Sequence, residues 1–139
     1  MCEEMDFIRS YLAVERARFR DRLEIEIEVE PAVNSLQIPA MVIQPIVETA
    51  IKHGASQAAT KGKVKVAIRR DASILRIEVT DNGPGFPPTF TLESTGAGHG
   101  LWNVSERLKG YYSSQGKLQW ENRPMGSCVT LELGIREEL

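Results

Sequence analysis

Three short stretches hold the residue types that handle charged ligands. Asp81-Asn82-Gly83-Pro84-Gly85-Phe86 sets a carboxylate directly before a Gly-Pro-Gly turn. Its glycines permit backbone angles and a close ligand approach that a Cβ would block. Alone, it reads first as a plain turn closed by an Asx-type aspartate. Gln44 to Gly54 carries Glu48, Thr49, Lys52 and His53: an acid, a hydroxyl, an amine and an imidazole in close succession. A Lys and a His on one helical face are, without context, usually just solvated. Gly96-Ala97-Gly98-His99-Gly100-Leu101 opens a helix, where free N–H groups and the helix dipole suit an anion. A lone Gly-x-Gly before a helix is weak evidence for phosphate.

The flanking elements decide whether these groups can meet. Ile74 to Thr80 alternates as a strand with Leu75, Ile77 and Val79 on one face, so Asp81 arrives at the sheet rim. Val64 to Arg70 is a second strand, turned by Asp71-Ala72-Ser73 into a hairpin with it. In the second stretch Ile43, Ile46, Val47, Ala50 and Ile51 follow a helical template, giving one core face. Pro45 belongs in the first turn. Thr49, Lys52 and His53, at i, i+3 and i+4, share another face. Leu101, Val104, Leu108 and Tyr111 mark a later helix, preceded by an irregular Phe86 to Ser94. Phe7, Ile8, Tyr11, Leu12 and Phe19 mark a helix at the start, with Arg16, Arg18, Arg20 and Arg22 at its basic end. Leu23 to Glu30 alternates strictly, burying Leu23, Ile25, Ile27 and Val29. The spacing strings its four glutamates along a solvated face rather than round a cation. Pro31 ends this strand. Lys117 to Glu121 and Val129 to Leu133 form a second hairpin across Asn122 to Ser127.

Composition sets outer bounds. The 139 residues make one domain, large enough for a real core. A formal net charge of −2 gives no bulk attraction for nucleic acid or an anionic membrane, so phosphates need a local basic site. No apolar run approaches the roughly 20 residues of a membrane span, and the N-terminus is not signal-like, so the chain reads as soluble. Cys2 and Cys128 stand far apart without metal-ligand spacing, so neither zinc nor a disulfide is expected. Cys128 reads as a small core residue, and a reducing cytoplasm as the compartment.

In this order and at these spacings, the three stretches resemble the N, G1 and G2 boxes of the ATPase superfamily of gyrase, heat-shock chaperone, histidine kinases and MutL. Tyr11-Leu12-Ala13-Val14-Glu15-Arg16-Ala17-Arg18-Phe19 followed by Gln44 to Gly54 is similar to the autolysis-sensor (LytS-like) branch of bacterial histidine kinases. The resemblance spans nearly the whole chain. Each glycine box is weak alone, and the ordered triplet is strong.

The resemblance implies an α/β two-layer sandwich of the Bergerat type. Its mixed, mostly antiparallel sheet has about five strands, with three main helices on one face. It divides the chain into 1–22, the end of a dimerisation or linker helix, and 23–139, the ATPase domain. It implies ATP and a magnesium ion as ligands. Asp81 would accept from the adenine amino group, which guanine replaces with a carbonyl. Gly83 and Gly85 would let the purine lie against the backbone, and Lys52 and His53 would lean on the phosphates. Gly98, His99, Gly100 and Leu101 would meet the phosphates at the later helix, His99 either touching one or standing exposed. Asn103 would be a polar contact, and Phe86 to Ser94 the lid. Glu48, Lys52 and His53 would be the catalytic set, with Glu48 as a base or holding a water. Gly126-Ser127 resembles the Gly-Thr that opens the superfamily's last strand. Thr49 stands where the family has a metal-ligating Asn, which puts the metal in doubt.

The implied activity is that of the ATP-binding domain of a sensor histidine kinase, passing the γ-phosphoryl to a His on an upstream helix of the same protein or its dimer mate. From there it goes to an Asp of a response regulator. The acceptor helix lies outside this chain, which reads as a cytoplasmic piece of a membrane-anchored parent. The alternative, favoured by Thr49, is a catalytically impaired nucleotide-binding switch. An autonomous ATPase or serine kinase is the third reading.

Overall fold

The computed structural model describes residues 2–19, 23–33, 43–54, 61–71, 74–85, 116–124 and 126–134. Helix α1 (Cys2–Phe19) comes first. Met5, Ile8 and Leu12 recur at helical spacing and enter the core. Phe7, expected inside beside Ile8, instead faces outward at 62% exposure. One residue is about 100° of helical rotation, which carries it off the buried stripe.

Strand β1 (Leu23–Val29) alternates as expected: Leu23 and Ile25 are buried, Ile27 and Val29 half-buried, and the glutamates exposed. A 3₁₀ turn, Pro31–Val33, follows at once. Helix α2 (Gln44–Thr49) has Pro45 in its first turn, where no N–H is needed. It continues as a π-helical turn over Ala50–Gly54. Ile43, Ile46, Val47, Ala50 and Ile51 are all buried.

Strands β2 (Gly62–Asp71), β3 (Ile74–Asp81), β4 (Gly116–Arg123) and β5 (Gly126–Gly134) complete a sheet of order β1-β2-β3-β5-β4. β1 pairs parallel with β2, and the other three pairings are antiparallel. Both expected hairpins are present. The inward face of the sheet and both helices form one core, in which Leu75, Ile77 and Val79 of β3 meet Ile8, Leu12, Ile46 and Ile51.

The outward face carries cross-strand ion pairs, Lys65–Glu28, Arg69–Glu78 and Arg76–Glu132, each at 3.4 Å. Pairs so exposed contribute little each and mainly keep this face soluble. Cys128 is buried as expected, and it pairs in register with Thr80, on the outward side of the sheet. Its sulfur lies 3.7 Å from Thr130 Oγ1. Period-two alternation from Val129 puts it there. The later helix and the stretch expected to form the lid lie outside the described residues.

Candidate nucleotide site

The pattern that buries Leu75, Ile77 and Val79 sends Asp81 to the same side of the sheet, two residues beyond Val79 at the rim. Its carboxylate is held from both sides. Oδ1 accepts from Gly83 N–H at 2.8 Å, the Asx turn anticipated from sequence. Oδ2 accepts from the Ser127 hydroxyl at 2.8 Å, across the β3–β5 pairing that sets Asp81 opposite Ser127. Burial pushes the Asp81 pKa above the ordinary aspartate value of 3.8, while the Ser127 and Gly83 hydrogen bonds oppose the rise. A partly buried carboxylate with fixed orientation is suited to accept from an N–H donor and to reject a carbonyl.

Glycines shape the rim. Gly85 has φ +84°, and a Cβ there would come 2.8 Å from Asn122 Oδ1, so the turn is closed against β4. Gly126 has φ +152°, and a Cβ on it would collide with the Asp81 carbonyl oxygen. The start of β5 thus presses on the backbone of Asp81, with room for a glycine alone.

Helix α2 carries the other polar groups, and its π turn packs against β3. Gln44 Nε2 donates to Glu48 Oε1 at 3.1 Å, holding the half-buried Glu48 from one turn back. Thr49 donates its hydroxyl to Pro45 O at 2.9 Å and is buried. Lys52 is exposed. The shared face expected for Thr49 and Lys52 joins a buried residue to an exposed one. Its arithmetic assumed an α-helix, whereas the π turn changes the angular step after Thr49. His53 lies in the π turn, and its side chain is outside the described set. Gly98, His99, Gly100, Leu101 and Asn103 also lie outside the described residues.

Two residues of the site were not among those selected from sequence. Ser127 was legible only through the likeness of Gly126-Ser127 to a Gly-Thr pair. Asn82 offered a weaker signal, a carboxamide at a strand end, where such side chains bond to backbone. An open hollow of about 720 Å³ lies elsewhere, near Glu28, Lys65, Arg69 and Glu78 on the outward face. Within its lining Lys65 pairs with Glu28 and Arg69 with Glu78.

Residues 34–137 match the family model described as histidine kinase-, DNA gyrase B-, and HSP90-like ATPase. The chain belongs to this ATPase family. This histidine-kinase-like ATPase domain is 32% identical over 139 residues to the sensor histidine kinase BtsS of Escherichia coli K12, covering 99% of the chain and 24% of the relative. It is 33% identical over 145 residues to the sensor protein LytS of Enterococcus faecalis, covering 98% and 25%. It therefore spans about a quarter of the length of these curated relatives. Among solved structures, the catalytic domain of histidine kinase ThkA aligns with a TM-score of 0.67 at 17% identity, covering 93% of this chain and 91% of that one. ThkA in complex with the response regulator TrrA aligns with a TM-score of 0.60 at 22% identity, covering 93% and 39%. These likenesses show the fold. The LytS-like resemblance and the two-layer α/β architecture are thus borne out. Nothing in the comparisons supports an impaired switch module. Among the described residues no helix is long and apolar enough to cross a membrane.

Proposed function

We propose that this ATPase domain binds ATP through Asp81 and donates its γ-phosphoryl to a histidine of a sensor kinase. The observation that carries the reading is the doubly anchored Asp81 carboxylate at the sheet rim. In this reading the adenine amino group donates to Asp81, while Gly83 and Gly85 let the purine lie close to the backbone. Lys52, exposed on the π turn, neutralises phosphate charge, with His53 beside it in sequence. Gly98, His99, Gly100, Leu101 and Asn103 complete the phosphate end.

A ring nitrogen of the acceptor histidine attacks the γ-phosphorus as the bridging bond to the β-phosphate breaks, and ADP leaves with that electron pair. Glu48, steadied by Gln44, takes the proton from the other ring nitrogen. Such transfer depends mainly on positioning and charge neutralisation. The acceptor would sit on an upstream helix of the same protein or its dimer mate, with residues 1–22 as that helical region's end and 23–139 as the ATPase domain. The next recipient would be a response regulator, and the setting the cytoplasmic side of a membrane-anchored parent.

Magnesium fits the donor chemistry. The Thr49 proton rests on Pro45 O, leaving lone pairs on a hard oxygen. Magnesium takes few protein ligands beside water and phosphate. When bound, the ion would neutralise the phosphates.

Calorimetric titration tests the nucleotide reading. ADP and ATP should bind, GTP much more weakly, and Asp81→Asn should lose roughly 10-fold or more in affinity, as for a lost hydrogen bond to a charged group. Equal binding of ATP and GTP, or an Asp81→Asn protein that binds like the parent, refutes it.

A further inference from the structure

The β2–β3 ladder ends in an unusual way. Val64 pairs with Asp81, so continuing the register would set Lys63 opposite Asn82 and Lys61 opposite Pro84. Main chain alone cannot finish that ladder, because Pro84 has no N–H to offer Lys61 O. The Asn82 side chain supplies the missing pieces. Its Nδ2 donates to Lys61 O at 2.8 Å, and its Oδ1 accepts from Lys63 N–H at 2.7 Å. Its own N–H donates to Lys63 O at 3.2 Å. The carboxamide thus does the work of a peptide group, one donor and one acceptor, where the backbone has already turned away.

We propose that Asn82 is a positioning residue for nucleotide binding: its carboxamide caps β2 in place of the β3 main chain, which lets the chain leave the sheet directly after Asp81. The departing backbone is then free to bring Gly83 N–H onto Asp81 Oδ1. Without the carboxamide, Lys63 N–H and Lys61 O lose their partners unless residues 82–84 fold back toward β2. That movement would pull Gly83 from the carboxylate and close the approach to it. Asn82 also ties Lys61, on the strand side of the segment returning from the π turn, to the turn that carries Asp81. The inference rests on Asp81 as the nucleotide contact.

The test compares the parent, Asn82→Ala and Asn82→Asp by ADP calorimetry, thermal melting and NMR of the Lys63 and Gly83 amides. Asn82→Ala should expose the Lys63 amide to exchange, shift the Gly83 amide, and weaken ADP by about 5- to 10-fold, the scale of one net hydrogen bond. Asn82→Asp keeps the acceptor for Lys63 N–H but loses the donor to Lys61 O. It should therefore retain Lys63 protection and recover part of the affinity, about 2- to 3-fold below the parent. Unchanged ADP affinity and Gly83 amide in Asn82→Ala overturn the proposal, and so does an Asn82→Asp protein no better than the alanine. A lower melting temperature with parental affinity marks a purely structural role and also overturns it. Should the alanine variant fail to fold, Asn82→Asp decides, since parental affinity and an unmoved Gly83 amide refute the proposal. A parent that binds no ADP defeats the nucleotide reading and this one together. The amide signals then still show separately whether the carboxamide holds the turn.

Discussion

Ser127 Oγ donates to Asp81 Oδ2 at 2.8 Å, joining two residues 46 apart in sequence. The contact exists because β3 and β5 pair in a register that sets them opposite each other. It leaves the aspartate little freedom to rotate out of the rim. Removing it with Ser127→Ala should weaken ADP binding about 10-fold, as expected for a hydrogen bond to a charged group. Thermal stability should change by about 1 kcal/mol or less. Ser127→Thr, which keeps the hydroxyl, should bind like the parent. Paired calorimetry and melting of the three proteins give the answer, and parental affinity in Ser127→Ala would remove Ser127 from the site.

The raised pKa of Asp81 has two consequences of opposite sign. Protonation removes an acceptor from the carboxylate, so ADP affinity should fall on acidification, beginning above the pH where an ordinary aspartate titrates. Stability runs the other way. A carboxyl whose pKa is raised on folding stabilises the fold fully below its unfolded value of 3.8, and that contribution is lost as pH rises through the folded value. At neutral pH the ionised Asp81 is therefore a burden on the fold. Asp81→Asn should melt no lower than the parent at pH 7 while binding ADP poorly. A variant clearly less stable than the parent would contradict this account.

Tyr11 offers a test at the other end of the pH scale. Its hydroxyl is buried without a hydrogen-bond partner among the described residues. Burial first, then the Glu15 and Glu48 carboxylates, push its pKa from 10.0 up to about 12, against the pull of Arg18. The phenol stays neutral in the fold, so its contribution is fully present below pH 10.0 and is lost as pH climbs through about 12. Tyr11→Phe keeps the ring and removes an unsatisfied polar atom, so it should leave stability unchanged or raise it by up to about 1 kcal/mol at pH 7. Its stability should also fall less steeply than the parent's between pH 10 and 12. Denaturant melts across that range check both statements.

Legibility followed the physics of each element. β1, the two hairpins and the buried stripe of α2 were readable because their signals are periodic and local. Leu75, Ile77 and Val79 therefore placed Asp81 correctly with nothing else known. Phe7 was misplaced inside because it neighbours Ile8. Cys128 is buried as expected, and only its side of the pleat was unreadable, since hydrophobicity alone does not say which side a residue takes. The different burial of Thr49 and Lys52 could not be read, since a π turn leaves no mark in residue type. Ser127 was noticed through likeness alone, because its partner lies a whole hairpin and more away in sequence. Asn82 was quoted within its box and given no role. Its part depends on the register that sets Pro84 opposite Lys61, and register is a property of two strands together.

The parallel pairing of β1 with β2 bears on how the domain assembles. The two antiparallel hairpins close over short separations, whereas Leu23 finds Gly62 only after the chain has crossed over through α2 and the π turn. Long-range closure forfeits more chain entropy before any contact repays it, and it slows folding accordingly. The β2–β3 hairpin carries Asp81, and the slow crossover carries Glu48 and Lys52. In the proposed reading the adenine contact thus belongs to a locally closed unit, and Glu48 and Lys52 to a segment that closes over a longer separation. During refolding the hairpin that carries Asp81 would then form before the crossover that carries Glu48 and Lys52.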